Sequence, residues 1–152
     1  VSYPVLAKTL SENSIRVGAI ALDWQHAIAM AGELLQASGY AAPDYATAMI
    51  DAVSELGPYI VIAPGLALAH AKPTELVYET GLCLVTLAEP IEFGHSSNDP
   101  VRLVFALAAI DHSSHLGLLA ELSDFLSADS NVNFLLNARS TDEIIAYLNS
   151  AL

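Results

Sequence analysis

A single cysteine, Cys83, occurs in 152 residues, which excludes a disulfide framework and any zinc site built on paired cysteines. It stands in the apolar run "TGLCLVTLAE", where a buried, inert thiol is expected. Positive charge is nearly as scarce. Five Lys and Arg stand against seventeen Asp and Glu, a formal net charge of −12. Nucleic acid is thereby excluded as a partner, because phosphate contacts need clusters of Lys and Arg, and a basic protein partner is the natural counterpart. Long hydrophobic runs are missing as well. Although 54% of the residues are hydrophobic, they fall in short segments broken by Gly, Pro and charges, none near the roughly 18 residues needed to cross a bilayer. No charged n-region, apolar h-region and cleavage site can be read at the N-terminus, so a soluble, cytoplasmic chain without direct membrane insertion is expected.

What is present reads as alternating helices and strands. Residues 23–38, "DWQHAIAMAGELLQAS", open on Asp23 as a candidate N-cap, put Trp24, Ala27, Ile28, Ala31 and Leu35 on one helical face, and stop before Gly39. Residues 44–56, "DYATAMIDAVSEL", repeat the pattern with Tyr45, Met49 and Val53 and end at Gly57-Pro58. The runs 59–63 "YIVIA", 82–88 "LCLVTLA" and 101–109 "VRLVFALAA" are rich in β-branched residues and too continuous to have one wet face, so they read as central strands covered on both sides. "SIRVGAIAL" reads as one further strand, and 92–100, "EFGHSSNDP", as a polar connection. Leu118, Leu119, Leu122, Phe125 and Leu126 form a helical stripe behind the candidate caps Asp111 and Ser113. The closing helix starts with a capping box, Ser140 to Glu143, and turns Ile144, Ile145 and Leu148 to one side. No repeat, low-complexity segment or domain boundary is evident. The expectation is an α/β single-domain sandwich over residues 1–152, a mixed β-sheet of about five strands with helices on both faces.

The histidines carry the candidate chemistry. His26 falls on the helix side opposite Trp24 and Ile28 and reads as a solvated surface residue. His95 lies on a Gly-containing loop, where it is either a plain surface histidine or the lining of a site. His112 and His115, spaced i, i+3 at a helix start, could bind a metal together with His95, but no carboxylate or Cys completes a zinc signature at familiar spacing, and no metal is assigned. His115 precedes Leu118 and Leu119, which turns it toward the packed face in the first helical turn. Unpaired N–H groups and the positive end of the helix dipole favour an anion there, phosphate in particular, although a satisfied core histidine remains an equal reading. His70 ends the stretch "IVIAPGLALAHAKP", after a Pro64-Gly65 turn and a short strand "LALA", and before Pro73, which cannot extend a central ladder. A ring where strand turns to loop can have one nitrogen fixed by backbone and the other free, and an ordinary imidazole, with a pKa of about 6.5, is mostly a neutral nucleophile above about pH 7.

"PYIVIAPGLALAHAKP", together with "TGLCLVTLAEPIEFG", "NDPVRLVFALAAIDHSSHLGLLAELSDFL" and the closing helix, resembles the IIA component of the bacterial phosphoenolpyruvate-dependent sugar phosphotransferase system, in its mannitol/fructose superfamily (EIIA type 2). The resemblance covers nearly the whole chain, and the wording around His70 is most similar to the ascorbate-type branch. It implies that His70 carries the phosphoryl group and that His115 matches the second active-site histidine. Two departures stand out: Ala69 replaces the proline that usually precedes the phosphorylated histidine, and Ser54 occupies the place of an active-site arginine in mannitol-type members. Lys72 is the only nearby cation in sequence to replace that charge, with a solvated loop lysine as the alternative.

On this resemblance the chain is a protein-histidine phosphotransferase that takes a phosphoryl group from the small carrier protein HPr. It passes the group to a cysteine of the cognate IIB component, and through IIB serves the IIC membrane permease, for ascorbate or a related sugar. No metal or organic cofactor is implied, and a homodimer is compatible with it. The competing class is a regulatory IIA-like module that senses phosphorylation and controls a partner without feeding transport; a metal hydrolase built on His95, His112 and His115 is a third.

Overall fold

A computed structural model describes residues 2–150. The elements run α1 (Pro4–Thr9), β1 (Ile15–Ala19), α2 (Trp24–Ala37), α3 (Tyr45–Leu56), β2 (Val61–Ala63), β3 (Leu66–Ala69), β4 (Gly81–Ile91), β5 (Val101–Ala108), α4 (Leu116–Ser127), α5 (Asp129–Asn137) and α6 (Thr141–Asn149). The strands form one mixed sheet in the order β1-β4-β5-β3-β2. β1 runs parallel to β4 and β3 parallel to β5, while β4/β5 and β2/β3 are antiparallel.

Alternation along the strands divides the core into two layers, because successive side chains leave a strand on opposite faces. Cys83, Val85 and Leu87 of β4, Val104 and Ala106 of β5, and Ala67 and Ala69 of β3 pack with α2 and α3. Leu82 and Leu84, Leu103 and Phe105, and Leu66 pack on the other face with α1, α4, α5 and α6. The expected sandwich with helices on both faces is thus observed. Cys83 is buried, its Sγ–H donating to Ala31 O at 3.2 Å, and burial pushes its thiol well above the ordinary range, so it is inert at neutral pH.

α2 begins where expected. The Asp23 carboxylate accepts from His26 N at 2.8 Å, and His26 Nδ1 accepts in return from Leu22 N at 3.0 Å. His26 is therefore half-buried and bound to the helix start, not merely a solvated surface residue as its helical phase suggested. α3 ends at Gly57, whose φ of +87° closes the last turn with Gly57 N on Val53 O at 2.8 Å. The two helices approach closely at Gly32, where an added Cβ would overlap the Cβ of Ala46 and lie 3.1 Å from its Cα. The closing helix has its box in a shifted form: Ser140 Oγ accepts from Glu143 N at 3.2 Å, and Glu143 Oε2 accepts from Arg139 N at 3.0 Å.

Three expectations change. Residues 59–63 do not form a central strand. Only Val61–Ala63 pairs, as edge strand β2, with Ile62 52% exposed, and the interior place beside β5 belongs to β3. The Pro64-Gly65 turn folds β2 back outside β3, and an apolar β-branched run looks the same in sequence whether the sheet continues past it or not. The helix behind Asp111 and Ser113 starts later, at Leu116, because the Asp111 carboxylate accepts from Ser113 N at 2.9 Å and Ser114 N at 2.6 Å and closes a separate turn. α1 and α5 were not expected. α1 has only six residues and its first N–H groups are capped from afar, by the Glu121 carboxylate of α4, at 3.0 Å to Val5 N and 3.2 Å to Leu6 N.

Candidate functional site

Because β3 and β5 are parallel neighbours in register, with Ala69 opposite Ala106, the chain leaves both strands at the same end of the sheet. His70 follows β3 directly, and the segment after β5 carries His112 and His115. Residues 45 apart in sequence are thus delivered to one place.

His70 is half-buried and its Nδ1 lies 2.9 Å from Leu68 O. A carbonyl oxygen only accepts, so Nδ1 carries the proton, and in the neutral ring the lone pair is on Nε2. Two tyrosines brace the segment. The buried Tyr45 hydroxyl accepts from Ala71 N at 3.1 Å and donates to Leu107 O at 3.0 Å, tying the exit of β3 to the end of β5. The Tyr59 hydroxyl donates to His70 O at 3.0 Å, and its ring stands edge-on to the imidazole, centroids 5.2 Å apart and planes at 90°. Burial raises the phenol pKa of both.

The segment 110–115 is held by three anchors. Thr80 Oγ1 accepts from Ile110 N at 3.1 Å and meets Ser114 Oγ at 2.7 Å, while Asp111 gathers the Ser113 and Ser114 amides. Those amides hold the Asp111 carboxyl below its ordinary pKa. The result sets His115 at the N-cap position of α4, where its side chain makes no cap bond and its buried Nδ1 has no hydrogen-bond partner. A first-turn position was expected; the Asp111 turn moves it to the cap.

His70, Lys72, His112 and His115 line one cavity of about 650 Å³ with Ala48, Asp51, Ala52, Glu55, Leu56 and Tyr59. Lys72 and His112 are exposed at its rim. Ser54 is exposed on α3 and is not among the lining residues; α3 faces the cavity instead with Ala48, Asp51, Ala52 and Glu55, spaced as one helical face. Asp51, Glu55 and Tyr59 do not read as site residues in the sequence, and Tyr45 reads only as a packed-face residue of its helix. The i, i+4 spacing of the two carboxylates was a visible signal, whereas nothing local tells a core tyrosine from one that clamps a loop.

His95 sits apart, on the connection before β5, at the end of the sheet away from His70. Its Nδ1 accepts from Ser97 N at 3.1 Å and Asn98 N at 3.0 Å, and the Asp99 carboxylate beside it accepts from Phe93, Gly94 and His95 N–H groups. The histidine braces its own loop. A metal centre on His95, His112 and His115 is overturned by this separation, and among the described residues no three His, Cys, Asp or Glu are placed to share an ion. Nor is any helix among them long and apolar enough to cross a membrane.

Residues 8–151 match the family described as phosphoenolpyruvate-dependent sugar phosphotransferase system, EIIA 2. The ascorbate-specific PTS system EIIA component of Salmonella choleraesuis is 40% identical over 143 residues, 92% of either chain. The solution structure of the mannitol-specific cryptic phosphotransferase enzyme IIA CmtB from Escherichia coli superposes with a TM-score of 0.82 at 33% identity, covering 94% of this chain and 99% of that one. The enzyme IIA of the Escherichia coli mannitol system, solved in complex with phosphorylated enzyme IIB, does so with a TM-score of 0.78 at 28% identity, covering 92% and 96%.

Proposed function

The chain belongs to the EIIA 2 family of the phosphoenolpyruvate-dependent sugar phosphotransferase system, and from that premise we propose that it is a phosphoryl carrier working through His70. Nε2 of His70 attacks the phosphorus of a phosphohistidine on HPr; the N–P bond to HPr breaks and its imidazole leaves with the electron pair. In the second step a cysteine thiolate of the cognate IIB attacks the same phosphorus, and His70 departs as the leaving group. Both steps balance without metal or organic cofactor. The protein's task is alignment and stabilisation of the equatorial oxygens.

The observation that carries this reading is the pairing of the two histidines in one cavity, with Nδ1 of His70 tied to Leu68 O so that Nε2 keeps the lone pair. His115 is assigned to hold phosphoryl oxygens during both transfers. Its support is the partnerless Nδ1, which argues against a purely structural role, since buried polar groups kept for structure are normally hydrogen-bonded. Lys72 at the rim is the cation nearest in sequence to supply positive charge. A partner of IIB type is supported by the mannitol IIA solved with phosphorylated IIB, and ascorbate or a related sugar by the curated relative. IIB would lead in turn to a IIC permease, with residues 1–152 acting as one domain in the cytoplasm.

Intact-mass measurement tests this. Incubation with phosphoenolpyruvate, enzyme I and HPr should add one phosphoryl group, none without HPr, and none to His70→Ala. Addition of IIB should then discharge it. A phosphoryl group retained in the presence of several IIB proteins, with altered binding of another partner, would instead support the regulatory role. Stoichiometric labelling of His70→Ala would refute the assignment.

A further inference from the structure

Tyr59 is 39% exposed, and its ring lines the cavity mouth beside the histidine. An aromatic ring left this open does little for the core, so its placement calls for another reason. Its backbone is firmly set. Tyr59 N donates to Gly57 O at 2.8 Å, Val61 N to Pro58 O at 3.1 Å, and Leu68 N to Ile60 O at 2.8 Å, which locks the 57–61 segment to β3 two residues before His70. From that base Tyr59 reaches His70 twice, by its hydroxyl to the carbonyl and by its ring to the imidazole.

The Nδ1–Leu68 contact fixes one point of the imidazole, and a ring held at one point can still pivot. The perpendicular Tyr59 ring removes that freedom on one side, and perpendicular aromatic pairs are a favoured arrangement. We propose that Tyr59 is a positioning residue for phosphoryl transfer at His70, holding the imidazole so that Nε2 addresses the cavity. This rests on the carrier function proposed above. Tyr59 touches neither phosphoryl group nor reacting atom; it acts through His70. The ring is the essential part and the hydroxyl an auxiliary, because the hydroxyl bond is made to the backbone.

Two variants separate the contributions. Tyr59→Phe keeps the ring and should slow single-turnover acceptance from phospho-HPr by no more than about tenfold, as for one lost hydrogen bond. Tyr59→Leu removes the wall and should slow it by about 10²-fold, the scale of a misplacement near 1 Å. The loss in Tyr59→Leu should fall on kcat with KM for phospho-HPr unchanged, and the final stoichiometry should remain one phosphoryl group. An independent readout needs no transfer: in the unphosphorylated protein, ¹⁵N shifts of the His70 ring should report a proton held on Nδ1 in wild type and in Tyr59→Phe, and a mixture of tautomers in Tyr59→Leu. Wild-type kcat together with wild-type ring shifts in Tyr59→Leu would overturn the proposal. So would a change confined to KM, which would make Tyr59 a docking contact. If the wild type accepts no phosphoryl group, the carrier function fails, and the ring shifts alone then decide whether Tyr59 holds the imidazole.

Discussion

Removing the Tyr45 hydroxyl, by Tyr45→Phe, is the sharpest test of how the site is held together. The ring stays and its 1% exposure means that no water replaces the lost oxygen. Ala71 N, which donates to that oxygen at 3.1 Å, is left without its acceptor, and Leu107 O loses a donor at 3.0 Å. An orphaned buried N–H costs about 1–3 kcal/mol, and the carbonyl, with a second lone pair, adds less, so the sum is about 2 kcal/mol. For a chain of this size that lowers Tm by about 4–8 °C. The kinetic effect has a different origin. Ala71 follows His70, so its release lets the histidine drift from the line of attack, and acceptance from phospho-HPr should slow by about tenfold or more. Thermal melts and single-turnover labelling on one preparation measure both. A lower Tm with wild-type labelling would show that Tyr45 stabilises the fold without placing His70, and an unchanged Tm would refute the two-sided clamp itself.

His115→Gln keeps a donor of similar bulk. Because Nδ1 has no partner to lose, Tm should stay within about 2 °C, while transfer to IIB slows by about 10²–10³-fold, as for one preorganised donor; several degrees of destabilisation with normal transfer would return His115 to the core. With −12 formal charge, the association rate with HPr should fall severalfold between low and physiological salt; a flat dependence in stopped flow would mean an apolar docking face. The Asp111 carboxyl is held below its ordinary value chiefly by the Ser114 and Ser113 amides. Its hold on the 110–115 segment is therefore complete above its unfolded pKa of about 3.9 and is lost as pH falls through the lower folded value. The Ser113 and Ser114 amide shifts should titrate below that point, and movement at higher pH would contradict the assignment.

The helices announced themselves best. Asp23, Gly39, Gly57 and the Ser140–Glu143 pair mark ends with local chemistry, and local chemistry is legible in a string of letters. The sheet was less so. The run 59–63 has the composition of a core strand, but whether a neighbour lies beyond it is a question of topology, which Ile62 cannot signal. α1 escaped notice because its cap, Glu121, comes from another helix. For the site, the strand-end position of His70 and the near-helix position of His115 were readable, and their common cavity follows from parallel pairing that no spacing reveals. His95 read as either a surface histidine or the lining of a site; its ring is occupied by its own loop. The tyrosines stayed hidden because their roles depend on distant carbonyls and amides.

Gly32 also limits how this protein can vary. A methyl group there would collide with Ala46, one residue beyond Tyr45 on the helix whose far half presents Asp51 and Glu55 to the cavity. α3 would have to lift away from α2, which would displace the cavity wall that carries Asp51 and Glu55 and disturb the Tyr45 hydroxyl on Ala71 N. A position with no chemistry of its own thus acts as a spacer between α2 and the helix that forms one wall of the site. A chain that enlarged Gly32 would have to relieve the overlap by shrinking Ala46 in the same step.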